Sequence, residues 1–401
     1  MPGGRHLRGG SLSYLKMSTL FPPLSLYLHF PWCVEKCPYC DFNSHPARQP
    51  PDQHAYVDAL LADLAHDLPL VGDRPVRTVF LGGGTPSLFD PHQIARLMAG
   101  LAERLPLAAD LEVTLEANPG TVEAGRFAGY RAAGVNRLSI GVQSLDAAKL
   151  RALGRIHGPA EAVAAAQAAR AAGFDSFNLD LMFGLPQQDL AQALDDLAQA
   201  IELAPPHLSW YQLTVEPNTR FAHQPPPLPD DDLLWDMQAA GQRLLADAGL
   251  EQYEISAYAR PGQQCRHNLN YWSFGDYLGI GAGAHGKLTL ADGRILRHSK
   301  QRHPQAYLAG AGSAAAIAGE RWLGTDDLPV EFMMNALRLN AGVDAVLYGQ
   351  HTGSELAAIA PLLAQARGRG LLDTDTTRLA PTALGRRFLN DLLAVFEVDH
   401  A

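Results

Sequence analysis

Three of the chain's cysteines, Cys33, Cys37 and Cys40, lie together in the stretch CVEKCPYC. Thiolate is a soft metal ligand, and C-x3-C-x2-C spacing lets three sulfurs face one metal centre from a single loop. A closed tetrahedral zinc site takes four ligands, so zinc here needs a fourth from His29, His45 or a distant group. A four-iron, four-sulfur cube also usually takes four cysteines. With three, one iron stays open to a non-protein ligand, as in a catalytic metal site that keeps a position free. Two residues past the third thiol stands Phe42, where a ring rather than a ligand follows the motif.

The elements that must hold this loop are legible in the hydrophobic pattern. Short β-rich runs, LSLYLHF (24–30), RTVFLGG (77–83), LEVTLEA (111–117), RLSIGVQ (137–143), SFNLDLMF (176–183) and HLSWYQLTV (207–215), alternate with helical stretches at 53–68, 91–105, 121–133, 159–172 and 189–203. Strand, helix, strand in repetition predicts an α/β fold with a parallel sheet and right-handed crossovers. Six strands are too few for a closed eight-stranded barrel, which leaves an open partial barrel or a doubly wound sheet. The cysteine loop follows the first run, GGGTP the second, EANP the third, GVQS the fourth, DLMFGLP the fifth and VEPNT the sixth. Those are strand C-termini, the face on which parallel α/β proteins build their sites. One shared pocket is expected there.

Composition narrows the classes. The chain has 401 residues, 47% hydrophobic and 18% charged, enough to bury one large core or two domains. It has no run of roughly 18 apolar residues, so no integral membrane segment is expected. A net charge of -10 opposes a grip on phosphates, and no nucleic acid partner is expected. Four cysteines, three of them clustered, make no disulfide framework, which fits a reducing, cytoplasmic setting. Residues 1–20 read as a flexible N-terminal extension; Arg5, Arg8 and Lys16 lack the apolar region of a secretory signal, and Met17 is an alternative start. A barrel domain is expected over 21–255. Within it HQPPPLPDDD leads into a helix at 231–248, capped by Asp230 or Asp231, and YEISAY reads as a strand. A mixed connecting region with a glycine-rich GIGAGAHG covers 256–325, and a smaller, mainly helical, winged-helix-like C-terminal domain covers 326–401. The latter holds ten acids against six arginines, so packing or docking is expected of it rather than DNA binding.

The motif Cys33-x3-Cys37-x-Tyr39-Cys40 resembles the signature of the radical S-adenosylmethionine (SAM) enzymes. The resemblance implies a [4Fe-4S] cluster on the three thiols and SAM chelating the fourth iron through its methionine amine and carboxylate. It also implies a one-electron donor such as a flavodoxin or ferredoxin. Gly82-Gly83-Gly84-Thr85-Pro86 then offers backbone groups with no side chain in the way, although the same residues also suit a tight turn before a helix. Glu116 can accept hydrogen bonds from a cationic amine or a ribose hydroxyl. With Gln143, Arg155 and Asp180, these residues resemble the coproporphyrinogen dehydrogenase branch of that superfamily, from about residue 24 to the C-terminal helix. By that likeness Tyr27 lies near SAM, Gly83, Gly84 and Thr85 bind its methionine part, and Glu116, Gln143, Arg155 and Asp180 complete the pocket. The fold implied is a partial (β/α)6 radical SAM barrel with a helical cap.

Two activities belong to that branch. One is oxygen-independent coproporphyrinogen III dehydrogenation, in which hydrogen is removed from propionate side chains and carbon dioxide leaves. The other is that of the radical SAM heme chaperones, which hold heme and deliver it to acceptor hemoproteins, respiratory ones among them. The dehydrogenase pattern continues to a fourth cysteine, C-x3-C-x2-C-x-C, where this chain has Phe42. The stretch CRHNLNYW (265–272) resembles the heme-associated HNxxYW signature of the chaperones, which implies His267 as a heme ligand. Arg266 could pair with a propionate, and Cys265 is a second ligand, an attachment point or an ordinary thiol. The same residues also suit a buried, hydrogen-bonded turn with Tyr271 and Trp272 in the core. Spacing does not single out His285 or His298. Phe42 and HNLNYW together favour a heme chaperone, with the dehydrogenase as the alternative.

Overall fold

The protein is described by a computed structural model over residues 21–397; the extension expected at 1–20 lies outside the described residues. Strand β1 (Leu24–Phe30) buries six of its seven residues. Burial that continuous is what a parallel strand covered on both faces requires. Beside it, all parallel, run β2 (Val76–Gly83), β3 (Leu107–Ala117), β4 (Arg137–Gln143), β5 (Ser176–Phe183) and β6 (His207–Gln212). These are the six expected strands. The last ends at Gln212, short of the expected residue 215.

The sheet continues beyond the six. YEISAY folds as two strands, β7 (Glu251–Glu254) and β8 (Ala257–Ala259), antiparallel to each other, with β8 edging β6. The mixed region adds β9 (Asp276–Ile280), parallel to β1, then β10 (His285–Thr289), β11 (Ile295–Lys300) and β12 (Ile317–Trp322), all antiparallel. The resulting twelve-stranded sheet has the order β12-β11-β10-β9-β1-β2-β3-β4-β5-β6-β8-β7. It is an open, partial barrel, since β1 and β6 pair with β9 and β8 rather than with each other.

Helices α1 (Gln53–Val71), α2 (Pro91–Arg104), α3 (Thr121–Ala132), α4 (Pro159–Ala171) and α5 (Leu190–Glu202) make the crossovers, and α6 (Asp231–Asp247) packs against α5. Their starts follow capping rules: Asp52 accepts from the Ala55 N–H, Asp189 and Gln192 cap reciprocally, and Asp230 accepts from the Leu233 N–H. Leu28, Val79, Leu81, Leu115, Ile140, Leu179 and Leu208 are fully buried in the core of the sheet. Buried ion pairs tie on the added strands. Lys300 of β11 lies 2.6 Å from Asp63 and 2.7 Å from Asp67 on α1. Asp276 at the start of β9 holds Lys287 at 3.0 Å and Arg74 at 2.8 Å.

A second core gathers Phe332, Met333, Tyr348, Leu392 and Phe396 from the C-terminal helices with Phe274 and Ile295 from the mixed region. Small antiparallel pairings run among these helices: Leu372 bridges to Pro381, and Val343–Asp344 pairs with Arg378–Leu379. No described helix is long and apolar enough to cross a membrane.

Candidate functional site

The three glycines at the end of β2 are each constrained. Gly83 has φ +112°, and a Cβ there would lie 2.5 Å from the His29 ring; a Cβ on Gly84 would lie 2.5 Å from the Trp32 carbonyl oxygen. Backbone N–H groups of Gly84 and Thr85 donate to the Phe30 and Trp32 carbonyls, each at 2.7 Å, so the loop is stitched to the exit of β1 that leads into the cysteines. The Gly83 N–H donates to Glu116 Oε2 at 2.9 Å. A generic turn needs none of this close approach.

Beyond the glycines a polar chain reaches two of the thiols. Thr85 Oγ1 donates to Cys33 Sγ at 3.5 Å and accepts from Asn118 Nδ2 at 3.0 Å. Arg155 donates to Asn118 Oδ1 at 2.7 Å, to the Gly141 carbonyl at 2.8 Å and to Cys37 Sγ at 3.6 Å. Burial pushes the Cys33 and Cys40 thiols up. Stable thiolates there need positive charge beside them, which a metal centre supplies together with Arg155. His29, one candidate for a fourth zinc ligand, has both ring nitrogens engaged: Nδ1 with the Tyr27 hydroxyl at 2.8 Å and Nε2 with the Asn43 carbonyl at 2.9 Å. Because the carbonyl only accepts, Nε2 carries the proton and Nδ1 accepts from Tyr27. Burial lowers the His29 pKa to about 4, so the ring is neutral.

Glu116 lies at the end of β3, and Asp180 lies within β5, three residues before its end. Burial, then the charge of Asp180, pushes Glu116 up to about 8. Asp180 is itself raised by burial and accepts from Ser139 Oγ at 3.0 Å and Asn178 Nδ2 at 2.7 Å. Gln143 ends β4 at φ 69° and accepts from the Tyr211 hydroxyl at 2.9 Å. A cationic ligand beside Glu116 would draw off its proton and turn it into an ion-pair partner.

Next to this edge opens a cavity of about 720 Å³. Tyr27, His29, Gly83 and Glu116 of the glycine-loop edge line it, together with the rings of Phe80, Tyr271, Trp272 and Tyr277. Phe42 is also in the wall and is 58% exposed.

The stretch HNLNYW forms a short helix, α7 (Arg266–Trp272), rather than a turn. Glu112 caps its start, accepting from the Arg266 and His267 N–H groups at 3.0 Å each. His267 is 4% exposed, stacks on Phe80 at 4.3 Å, and places Nδ1 3.1 Å from Glu112 Oε1 and 3.0 Å from Cys265 Sγ. Burial opposes both charges of this pair. For Glu112 the hydrogen bond and charge of His267 outweigh it, and the carboxyl is held below the usual range. For His267 the thiol of Cys265 and then Glu112 outweigh it, and the imidazole is raised. Cys265 is buried. Arg266 points away from the cavity, bound to the Asp110 carboxylate at 2.9 Å and so unavailable to a propionate there. From this motif Tyr271 and Trp272 reach the cavity wall, and His267 lies behind Phe80.

Thr85 and Arg155 thus sit at the thiols, Tyr27, Gly83 and Glu116 open on the cavity, Gly84 holds the loop, Gln143 ends β4, and Asp180 stands within the neighbouring β5 rather than at its end. Asn118, which links the two thiol contacts, is a site residue that the motifs alone do not single out. Its signal is present in EANP, an amide at a strand terminus. Phe80, Tyr277, His285 and Arg302 also line the cavity; of these only His285, in GAGAHG, has a motif to draw attention to it.

An open parallel barrel with three thiols in the first strand-end loop defines a protein of the radical SAM class, and the model of the Radical SAM superfamily matches residues 27–197. The HemN C-terminal domain model matches residues 323–388. The chain is 55% identical to the heme chaperone HemW of Escherichia coli, over 94% of this chain and 98% of that one. It is 51% identical to the heme chaperone HemW of Haemophilus influenzae, again over 94% and 98%. Among solved structures, coproporphyrinogen III oxidase (HemN) from Escherichia coli, described as a radical SAM enzyme, superposes with a TM-score of 0.80 at 28% identity, covering 94% of this chain and 91% of that one. The chain belongs to the HemW family of radical SAM proteins.

Proposed function

We propose that the protein is a heme chaperone. It holds heme in the cavity beside the glycine loop and passes it to acceptor hemoproteins. Cys33, Cys37 and Cys40 would hold a [4Fe-4S] cluster, which would supply one-electron chemistry toward SAM bound beside it. Gly83, Gly84 and Thr85 would receive the methionine part, and Tyr27, Glu116, Gln143, Arg155 and Asp180 would complete the pocket. The residues suit these groups: Thr85 and Arg155 already donate toward two of the sulfurs, and the glycine cradle is one that any Cβ would fill. The Tyr27–His29–Asn43 chain fixes the wall between pocket and cavity, and Glu116 can take or release a proton where that wall meets the glycines.

The observation that carries the heme reading is the cavity wall. Phe42, Phe80, Tyr271, Trp272 and Tyr277 present rings to one space, the environment a flat apolar macrocycle requires. Phe42 stands where the dehydrogenases carry a fourth thiol. Iron ligation by His267 belongs to the proposal only for a state in which the ring leaves Glu112 and passes Phe80. A reducing cytoplasm and a flavodoxin- or ferredoxin-like donor fit the thiol cluster. The likeness to HemN supports the second reading, coproporphyrinogen III dehydrogenation.

One experiment separates the two. Anaerobically reconstituted protein receives SAM, reductant and coproporphyrinogen III, and in a parallel sample heme. Tight binding of heme, transferred to an apo-hemoprotein without decarboxylated product, is expected. Catalytic turnover of the porphyrinogen would overturn the chaperone reading.

A further inference from the structure

Heme iron needs an axial ligand with a free lone pair, and the cavity wall offers few. Among the described residues two histidines line it, His29 and His285. His29 has no free lone pair, because Nδ1 accepts from Tyr27 and Nε2 donates to Asn43. Tyr27, Tyr271 and Tyr277 have phenols raised by burial, which disfavours the phenolate a metal would take. Lys300 is spent between Asp63 and Asp67. His267, behind Phe80, is outside the wall.

His285 differs in each respect. It opens β10, paired with Ser299 of β11, which also lines the cavity. Strand alternation then sets the geometry. Gly286 turns inward, where a Cβ would lie 2.4 Å from the His298 ring, so His285 faces outward to the cavity and His298 packs beneath. Among the described residues the His285 ring makes no hydrogen bond and no ion pair. Burial, then Arg302 and Arg297, lower its pKa, which keeps the ring in the neutral form that binds iron. Arg302 lines the same cavity and has no ion pair among the described residues, so its guanidinium is free for a carboxylate.

We propose that His285 is an axial ligand of the heme iron in this cavity, with Arg302 receiving a heme propionate. The inference rests on the heme-carrier reading and adds to it a ligand outside the HNLNYW motif. Ligation forms an Fe–N bond to the neutral imidazole, with no electron or proton transferred.

The test titrates hemin into full-length reconstituted protein and its His285→Ala, His285→Gln and His267→Ala variants. Soret spectrum, ferric-heme electron paramagnetic resonance and affinity are read, and circular dichroism and iron content report folding and cluster retention. A shifted Soret band, altered spin state and at least about tenfold weaker binding are expected for both His285 variants with fold and cluster intact. Added imidazole should restore the spectrum of His285→Ala. His285→Gln keeps bulk and polarity, so it separates ligation from packing should the alanine variant fold poorly. Wild-type spectrum and affinity in a folded His285→Gln would overturn the assignment and leave the carrier reading standing. Failure of the wild type to bind hemin would overturn both. An Arg302→Gln variant should weaken hemin binding while leaving the Soret position unchanged; unaltered affinity would remove Arg302 from the site.

Discussion

Two corners of the molecule combine thiols with charged partners, and they are built in opposite ways. At the cysteine loop, Cys33 and Cys37 receive one donor each, from Thr85 and Arg155, and all three thiols are partly exposed. At the start of α7, Cys265, His267 and Glu112 satisfy one another and are almost wholly buried. The first corner presents donors and soft ligands outward, as a site that takes up a charged group must. The second is closed, and its charge pair works as a helix cap and a brace between β3 and α7. Residue types alone do not separate a ligand set from a brace. What separates them is whether the polar atoms already have partners.

The sharpest way to break this contrast is to remove thiols from each corner. Cys33→Ala, Cys37→Ala or Cys40→Ala should lower bound iron from about four atoms per chain to near zero after anaerobic reconstitution. Cys265→Ala should retain the iron. Iron and sulfide analysis with the broad visible absorbance checks both, and equal loss in Cys265→Ala would place the fourth cysteine in the cluster site.

The brace is tested next, by stability. Glu112→Gln leaves a buried imidazole and two helix N–H groups with a weaker acceptor, and losing one partner of a buried pair costs about 3–5 kcal/mol. Denaturant unfolding should show most of that loss. A change within about 0.5 kcal/mol would mean that the corner is solvated and available to a ligand.

At the glycine loop, Gly84→Ala drives a Cβ against the Trp32 carbonyl, a backbone atom that cannot swing aside. Overpacking of this kind costs roughly 1–3 kcal/mol. SAM affinity, measured by calorimetry on the reconstituted protein, should fall further than in Gly368→Ala, where a Cβ would meet nothing within 4 Å. Equal affinities in the two variants would reduce the loop to an ordinary turn.

Much of the open corner is legible in the sequence, because C-x3-C-x2-C, GGGTP and EANP are local strings at the ends of strongly apolar runs. Cys33, Gly83, Thr85 and Glu116 meet because parallel strands bring their C-termini together. The closed corner is not legible in that way. His267 and Glu112 are joined across β3 and α7, and no local pattern announces that a histidine in a promising motif has its lone pair spoken for. The same limit hides the added strands. GIGAGAHG suggests a glycine-rich link, yet Gly279, Gly281 and Gly283 are needed because β9 and its exit pass so close to His285, His29 and Asn43.

Glu116 sharpens the comparison through pH. Its folded pKa of about 8 lies above the ordinary carboxyl value near 4.3, so between those limits the folded state holds a proton that the unfolded chain has lost. Stability from this group therefore falls as pH rises from about 4.5 to about 8, by linkage. Glu116→Gln removes that slope, and its stability relative to wild type should climb through the same window and level off above it. Parallel stability curves for the two proteins would mean that the carboxylate is solvated, and the glycine loop would lose its proton-holding partner.

Phe42 gives the smallest expected effect and the finest distinction. The residue is 58% exposed on the cavity wall and makes little contribution to the fold, so Phe42→Ala should change stability by less than about 0.5 kcal/mol. If the ring flanks the macrocycle, hemin affinity should fall by roughly three- to tenfold, the loss expected for part of one apolar contact face. Iron content should stay at the wild-type level, because the three thiols and their donors are untouched. Loss of iron on exposure to air in Phe42→Ala, with hemin affinity unchanged, would move the ring from the heme wall to the cluster, as a shield against water and oxygen. The position would then distinguish this chain from the dehydrogenases by what it protects rather than by what it binds.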